Sequence, residues 1–249
     1  MKSISSKQPA GWTWTRETQP RAIRAFTLIE LIIVIAIIGI LAALIFPTIR
    51  AINRKALVRR ARTEMEQVET YIAAYKAKLG HYPPDNRNPA DNQLVPGLNQ
   101  LYYELMGTTL INDTYVSKDG TGPPFERKLV PSYYGPGVIG FVNCQRGNVE
   151  DGTLAVQFLK PVRDSLVATP TITNPETRVT ITARILVCSV PGIDPNVPPI
   201  SSPGAIFNPW RYNSSAATNN TASYDLWTDI LANGKAVRIC NWSKQPIDL

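Results

Sequence analysis

Apolar residues fill the chain from Phe26 to Phe46, FTLIELIIVIAIIGILAALIF, broken only by the threonine Thr27 and the acid Glu30. As a helix this run is roughly 31 Å long, the thickness of a bilayer's hydrocarbon core. Its small residues Ala36, Gly39, Ala42 and Ala43 would let another helix approach closely. Pro47 ends the run and has no N–H for the helix ladder, so a kink or a short unwound stretch is expected there. Beyond it, Ile49, Ile52, Ala56, Met65, Val68, Ile72, Tyr75 and Leu79 keep a helical period, with Arg59, Arg62, Glu66, Glu69, Lys76 and Lys78 on other faces. The spacing predicts an amphipathic helix over 48–79 whose apolar stripe needs a sheet to cover it. Gly80 stops it, and Pro83 and Pro84 prevent a restart.

From residue 80 onward the pattern changes. Only Pro9, Pro20 and Pro47 of the 21 prolines precede it, so loops dominate this part, including VPGIDPNVPPISSPGAIFNPW at 190–210. Candidate strands are Gly137–Cys144, Leu154–Leu159 and Arg178–Cys188. In the last, Val179, Ile181 and Ala183 alternate with Thr180, Thr182 and Arg184. Helix first and half-polar strands afterwards give an α+β fold: a long N-terminal helix packed on a small antiparallel sheet with Pro-rich loops.

Charge adds little to this picture. The 249 residues carry a formal +7, of which residues 1–25 hold +4, from Lys2, Lys7, Arg16, Arg21 and Arg24 against Glu17. The remaining +3 gives no case for a nucleic-acid partner. The basic cluster Arg50 to Arg62 reads as membrane-flanking, and charge counting leaves the orientation open. Cys144, Cys188 and Cys240 form no C-x-x-C pair. One disulfide among them and three isolated thiols are both open.

Glu30 is the unusual residue. A carboxylate in an apolar segment is costly. It either snorkels to the headgroups or pairs with a cation that arrives later. The α-amino group of Phe26 would be such a cation if the chain were cut after Ala25. In a staggered helical bundle it would lie beside a neighbour's Glu30 and favour one register. A secretory signal would place its small cleavage residue after the apolar core; Ala25 stands before it.

Other motifs carry little. GPGVIG at 135–140 fits G-x-G-x-x-G but opens no helix after a strand, and Pro136 removes an amide. His81 sits at a proline-rich turn without a nucleophile motif, and Asp225 and Asp229 read as structural rather than as a catalytic pair.

Basic residues, a small residue and then FTLIELIIVIAIIGILAALIFP resemble the class III signal of type IV pilins and type II secretion pseudopilins. Phe26 takes the first mature position, Glu30 the fifth and Pro47 the twenty-second. The resemblance implies cleavage by a prepilin peptidase between Ala25 and Phe26, N-methylation of Phe26, and a filament-assembly role for Glu30. It divides the chain into a cytoplasmic leader (1–25), a transmembrane and assembly helix (26–47), an amphipathic helix (48–79) and a periplasmic α+β domain (80–249). Ala25 departs from the usual glycine, and the leader is longer than most. LGHYPPDN at 79–86, NPWRYN at 208–213, YDLWTDI at 224–230 and ICNW at 239–242 resemble pseudopilin elements; residues 90–205 resemble none.

In major pseudopilins an acidic calcium loop lies between the last two elements. Here the stretch reads ILANGKAVR, with Ala236, Val237 and Arg238 where carboxylates are expected, so no calcium site and no cofactor are expected although Asp225 and Asp229 remain. The implied function is that of a non-enzymatic subunit of a type II secretion pseudopilus in a homo-oligomeric or mixed filament. Its partners would be the prepilin peptidase, an inner-membrane assembly platform and the membrane. The alternatives are a type IV pilin for adhesion, motility or DNA uptake, and a membrane-anchored periplasmic enzyme or binding module built on 90–205.

Overall fold

The computed structural model describes residues 27–88, 90, 94–95, 97–146, 154–160, 164–173, 180–193 and 207–249, without the side chains of 44–51. The chain divides into two units, Met1–Pro47 and Thr48–Leu249. Helix α1 runs from Leu28 to Leu79 and is helical on both sides of Pro47, so the unwound stretch expected there is absent. The proline costs the helix one backbone hydrogen bond without ending it. Among the described residues no helix is long and apolar enough to cross a membrane. The described side chains of the apolar run stop at Ala43, and the span anticipated over 26–47 falls partly outside them.

Within the second unit, α1 buries Ala61, Met65, Val68, Ile72 and Tyr75, one stripe at spacings of three and four. The stripe begins later than its sequence pattern, because Ile52 and Ala56 are exposed. Next come α2 (Leu101–Met106), β1 (Thr108–Ile111), β2 (Thr114–Ser117), β3 (Phe125–Glu126), α3 (Val130–Tyr134) and β4 (Cys144–Arg146). They are followed by β5 (Val167–Ala168), β6 (Thr171–Thr173), β7 (Thr180–Thr182), β8 (Ile185–Leu186), β9 (Arg211–Asn213), β10 (Asp225–Ala232), β11 (Lys235–Cys240) and β12 (Ile247–Asp248).

The α+β class holds, but there is more sheet than a single small one. One four-stranded sheet has the order β3-β2-β1-β4 and another β12-β11-β10-β9, with the ribbons β5-β8 and β6-β7 besides. The first sheet is mixed, since β1 and β4 run parallel. It lies wholly within 90–205.

Two of the three candidate strands are largely irregular and the third is split, because side chains and a helix-end carbonyl take up backbone N–H groups that a ladder would use. Of Gly137–Cys144 only Cys144 is in a strand. The Glu104 carboxylate accepts the Val142 amide at 2.8 Å and the Asn143 amide at 2.9 Å. Leu154–Leu159 forms no strand: the Val156 amide goes to Asn143 Oδ1 and those of Phe158 and Leu159 to the carbonyl of Leu105 at the end of α2. The described part of Arg178–Cys188 is split at Ala183–Arg184, where the Arg184 amide turns to the Tyr103 hydroxyl. Residues 178–179, and 194–206 of the proline-rich stretch, lie outside the described residues.

A buried aromatic group fills the space over the first sheet. Tyr103 stacks on Phe141 at 4.8 Å, and Tyr115 meets the same ring edge-on at 4.9 Å. Gly140 is required there, since a β-carbon would lie 2.3 Å from the Tyr115 hydroxyl.

Candidate assembly segment and the C-terminal sheet

At the start of α1, the Thr27 amide donates to Glu30 Oε2 at 2.9 Å and the Thr27 hydroxyl donates to the same oxygen at 2.8 Å. The Glu30 amide returns a bond to Thr27 Oγ1 at 3.3 Å. This is a capping box: two residues satisfy amides that the first helical turn leaves open. Neither sequence reading of Glu30 includes this role, although the signal T-x-x-E ahead of an apolar run is present. Ala25 and Phe26 lie outside the described residues. Past the cap the rod is bare: Leu28 is 76% exposed, and large side chains through Leu41 are exposed around the helix. An apolar surface of that extent marks a site of contact with lipid or protein.

The segments at 208–213, 224–230 and 239–242 converge on one sheet. Leu226 pairs with Tyr212, and Trp227 pairs with Arg211 on one side and Cys240 on the other. The segment at 79–86 joins them: Tyr212 donates its hydroxyl to the Pro83 carbonyl at 2.8 Å, and Asp85 accepts the amides of Ser214 and Ser215.

The stretch ILANGKAVR is not a loop. It is a hairpin whose register closes at Ala232 opposite Lys235. Asn233 and Gly234 both have positive φ, 54° and 77°, the two-residue turn that an Asn-Gly pair favours. Arg238 donates to Asp229 through Nε at 2.7 Å and Nη2 at 3.0 Å, and Arg211 approaches the same carboxylate at 3.9 Å. Asp225 is occupied too, accepting the amides of Thr218, Asn219 and Asn220. Burial works against its charge, yet these amides and the Asn219 side chain hold its carboxyl below the ordinary value. Asp225 and Asp229 thus serve separate partners. Among the described residues no group of three or more His, Cys, Asp or Glu is placed to hold a metal ion.

Cys144, Cys188 and Cys240 are all free, so no disulfide joins them in this structure. Burial raises all three thiols, Cys188 furthest. His81 is exposed at its turn, with Nδ1 2.9 Å from the Tyr82 carbonyl. The glycine motif forms a tight passage, not a phosphate cradle: a β-carbon on Gly137 would lie 2.2 Å from the Arg87 carbonyl. Part of the basic cluster binds its own domain. Arg54 pairs with Asp248, Arg60 with Glu64, and Arg62 caps the carbonyls of Cys240, Ser243 and Lys244.

A capped apolar rod continuous with an amphipathic helix on an α+β domain places the chain in a class, and the comparisons agree. The chain belongs to the type IV pilin and pseudopilin family. Residues 20–46 match the prokaryotic N-terminal methylation motif. A fimbrial protein of Moraxella nonliquefaciens is 32% identical over 161 residues, covering 55% of this chain and 97% of that protein. The type II secretion system core protein G of Escherichia coli (strain K12) is 38% identical over 64 residues, 26% of this chain and 44% of that protein. The type IV major pilin protein PilE of Neisseria gonorrhoeae is 41% identical over 63 residues, 25% of this chain and 38% of that protein. The chain therefore spans less than half the length of the latter two. No solved structure matches at a significant level.

Proposed function

We propose that the protein is a structural, non-enzymatic subunit of a type II secretion pseudopilus. A prepilin peptidase removes residues 1–25 and methylates Phe26. The apolar rod waits in the inner membrane with the leader on the cytoplasmic side and the domain in the periplasm. An inner-membrane assembly platform then moves it into a filament of this subunit alone or mixed with related ones. The transfer from lipid to a bundle of apolar helices loses little hydrophobic energy, so the rod suits both settings. One observation supports the secretion reading above others: the pseudopilin-like segments at 208–213, 224–230 and 239–242 meet in adjacent strands β9, β10 and β11. We further propose that Arg238 leaves no room for a family-type calcium ion, and that no nucleic acid is involved.

Mass spectrometry of the mature N-terminus tests the processing step. A methylated Phe26 is the expected result, and an intact leader in assembled material contradicts it. Glu30→Ala tests the assembly role: filament incorporation falls sharply if Glu30 sets the register, and wild-type incorporation refutes that role. A second reading, a type IV pilin for adhesion, motility or DNA uptake, draws on the alignment with nearly the whole Moraxella fimbrial protein. Deletion of the gene separates the two: loss of protein export supports the first, and loss of motility or adhesion with export intact supports the second.

A further inference from the structure

We propose that the face of the first sheet where Arg127 and Arg146 converge is a docking site for a short acidic segment of another protein. Its carboxylate enters between the two guanidiniums, and its flanking apolar side chains cover Ile139 and Val142. The register of the sheet builds the site. Arg146 on β4 lies opposite Leu110, Leu110 opposite Tyr115, and Tyr115 opposite Phe125. Paired residues share a face, so Arg146 rises on the side that carries the buried rings of Tyr115 and Phe125. Arg127 directly follows β3, at the other edge of the sheet. The segment 139–142 lies over this face. Phe141 turns inward against Tyr115, while Ile139 and Val142 stay 77% and 56% exposed. A cavity of about 300 Å³ opens there, lined by Arg127, Arg146, Ile139, Val142 and Tyr115 among others.

The two cations lack an adequate counter-ion of their own. The Arg146 side chain has no hydrogen bond or ion pair among the described residues. Asp113 stands 3.7 Å from Arg127, beyond hydrogen-bond reach, and Glu126 turns to Lys128 at 2.7 Å. Burial raises the Tyr115 phenol, and the charges of Arg127 and Arg146 oppose it, so both guanidiniums lie near one hydroxyl. A planar guanidinium presents paired donors that match a carboxylate. Two of them around one cavity select for an acid.

The surroundings decide among anions. A bare phosphate or a free carboxylate ion would leave Ile139 and Val142 in water, whereas an acidic residue with apolar neighbours covers them. Asp113 and Glu126 stand on the Arg127 side, with side chains 72% and 53% exposed. They would repel the repeated charges of a nucleic acid or of an anionic bilayer. The contact is small, which suits a transient partner and not a permanent assembly face. It lies in the unit from Thr48 onward and uses no residue of α1.

Titration calorimetry on the full chain in nonionic detergent tests the site, with the capped pentapeptide acetyl-Ala-Leu-Asp-Leu-Ala-amide as probe. The wild type should give a saturable isotherm, and the same peptide with asparagine for aspartate should bind about fivefold more weakly or worse. Arg127→Gln with Arg146→Gln should weaken the aspartate peptide by about tenfold or more. Ile139→Ser with Val142→Ser should weaken it by about fivefold. Arg127→Lys with Arg146→Lys keeps the charge and should recover part of the binding. All four side chains are exposed, so the melting curve should stay at its wild-type position. Equimolar sodium acetate should leave the isotherm unchanged; displacement by it would show a bare anion site and overturn the peptide reading. No isotherm from the wild type, or equal binding by the asparagine peptide or by the glutamine double variant, also overturns the proposal. Each measurement uses the unassembled chain, so the filament reading stands or falls separately.

Discussion

Tyr75, on the buried stripe of α1, donates its hydroxyl to Glu104 Oε2 at 3.0 Å, with both residues fully shielded from water. The bond ties the helix to α2. The same carboxylate accepts the Val142 and Asn143 amides, and the Asn143 side chain donates to the carbonyls of Glu104 and Val156 at 2.7 Å. Burial, and secondly the charge of Glu104, push the Tyr75 phenol upward, so it remains a donor. Tyr75→Phe removes one donor and leaves the packing nearly unchanged. It is expected to cost about 1–3 kcal/mol in urea unfolding of the domain from Thr48 onward; no measurable change would show that Tyr75 acts by packing alone.

Glu104 also gives a pH signature. Burial raises its carboxyl above the ordinary value of 4.5, opposed by the amides of Asn143 and Val142 and by Tyr75, with His81 the charged group that acts on it. Its linkage contribution is fully present below that value and is lost as pH rises through the folded one. Relative to Glu104→Gln, wild-type stability should therefore decline from pH 4 upward. A parallel pair of stability curves from pH 4 to 8 would show that Glu104 titrates alike folded and unfolded.

Arg238→Ala leaves Asp229 with only the distant Arg211 and should cost about 1–2 kcal/mol. Calorimetric titration of the same domain with calcium should give no binding isotherm in the wild type. Micromolar uptake would remove the argument that the guanidinium occupies the region.

Gly234→Ala places a β-carbon on a residue with φ of 77°. The space around it is open, so the penalty is backbone strain alone, expected at about 1 kcal/mol. An unchanged melting curve would mean that the turn relaxes to another type.

The parts of this fold legible in the sequence are those set by local periodicity. Met65, Val68, Ile72 and Tyr75 announce their helix face because each buried residue repeats the register of the one before. The strand errors come from distant partners. Nothing near Val142 and Asn143 signals that their amides bond a carboxylate some forty residues earlier, and Ala183 gives no local sign that the chain changes ribbons there. The Asn233–Gly234 turn differs. Its signal is local, an Asn-Gly pair, but the resemblance to the position of a family calcium loop draws attention to missing carboxylates instead of to the hairpin. Thr27 and Glu30 carry a local signal of the same kind, T-x-x-E, which the cost of a carboxylate in an apolar segment overshadows.

Both Thr27 bonds converge on one oxygen of Glu30, Oε2. The other oxygen carries neither, so a visiting ammonium could dock on Oε1 without dislodging the threonine. Closure of the rod's tip by Thr27 thus leaves half of the carboxylate open to a cation.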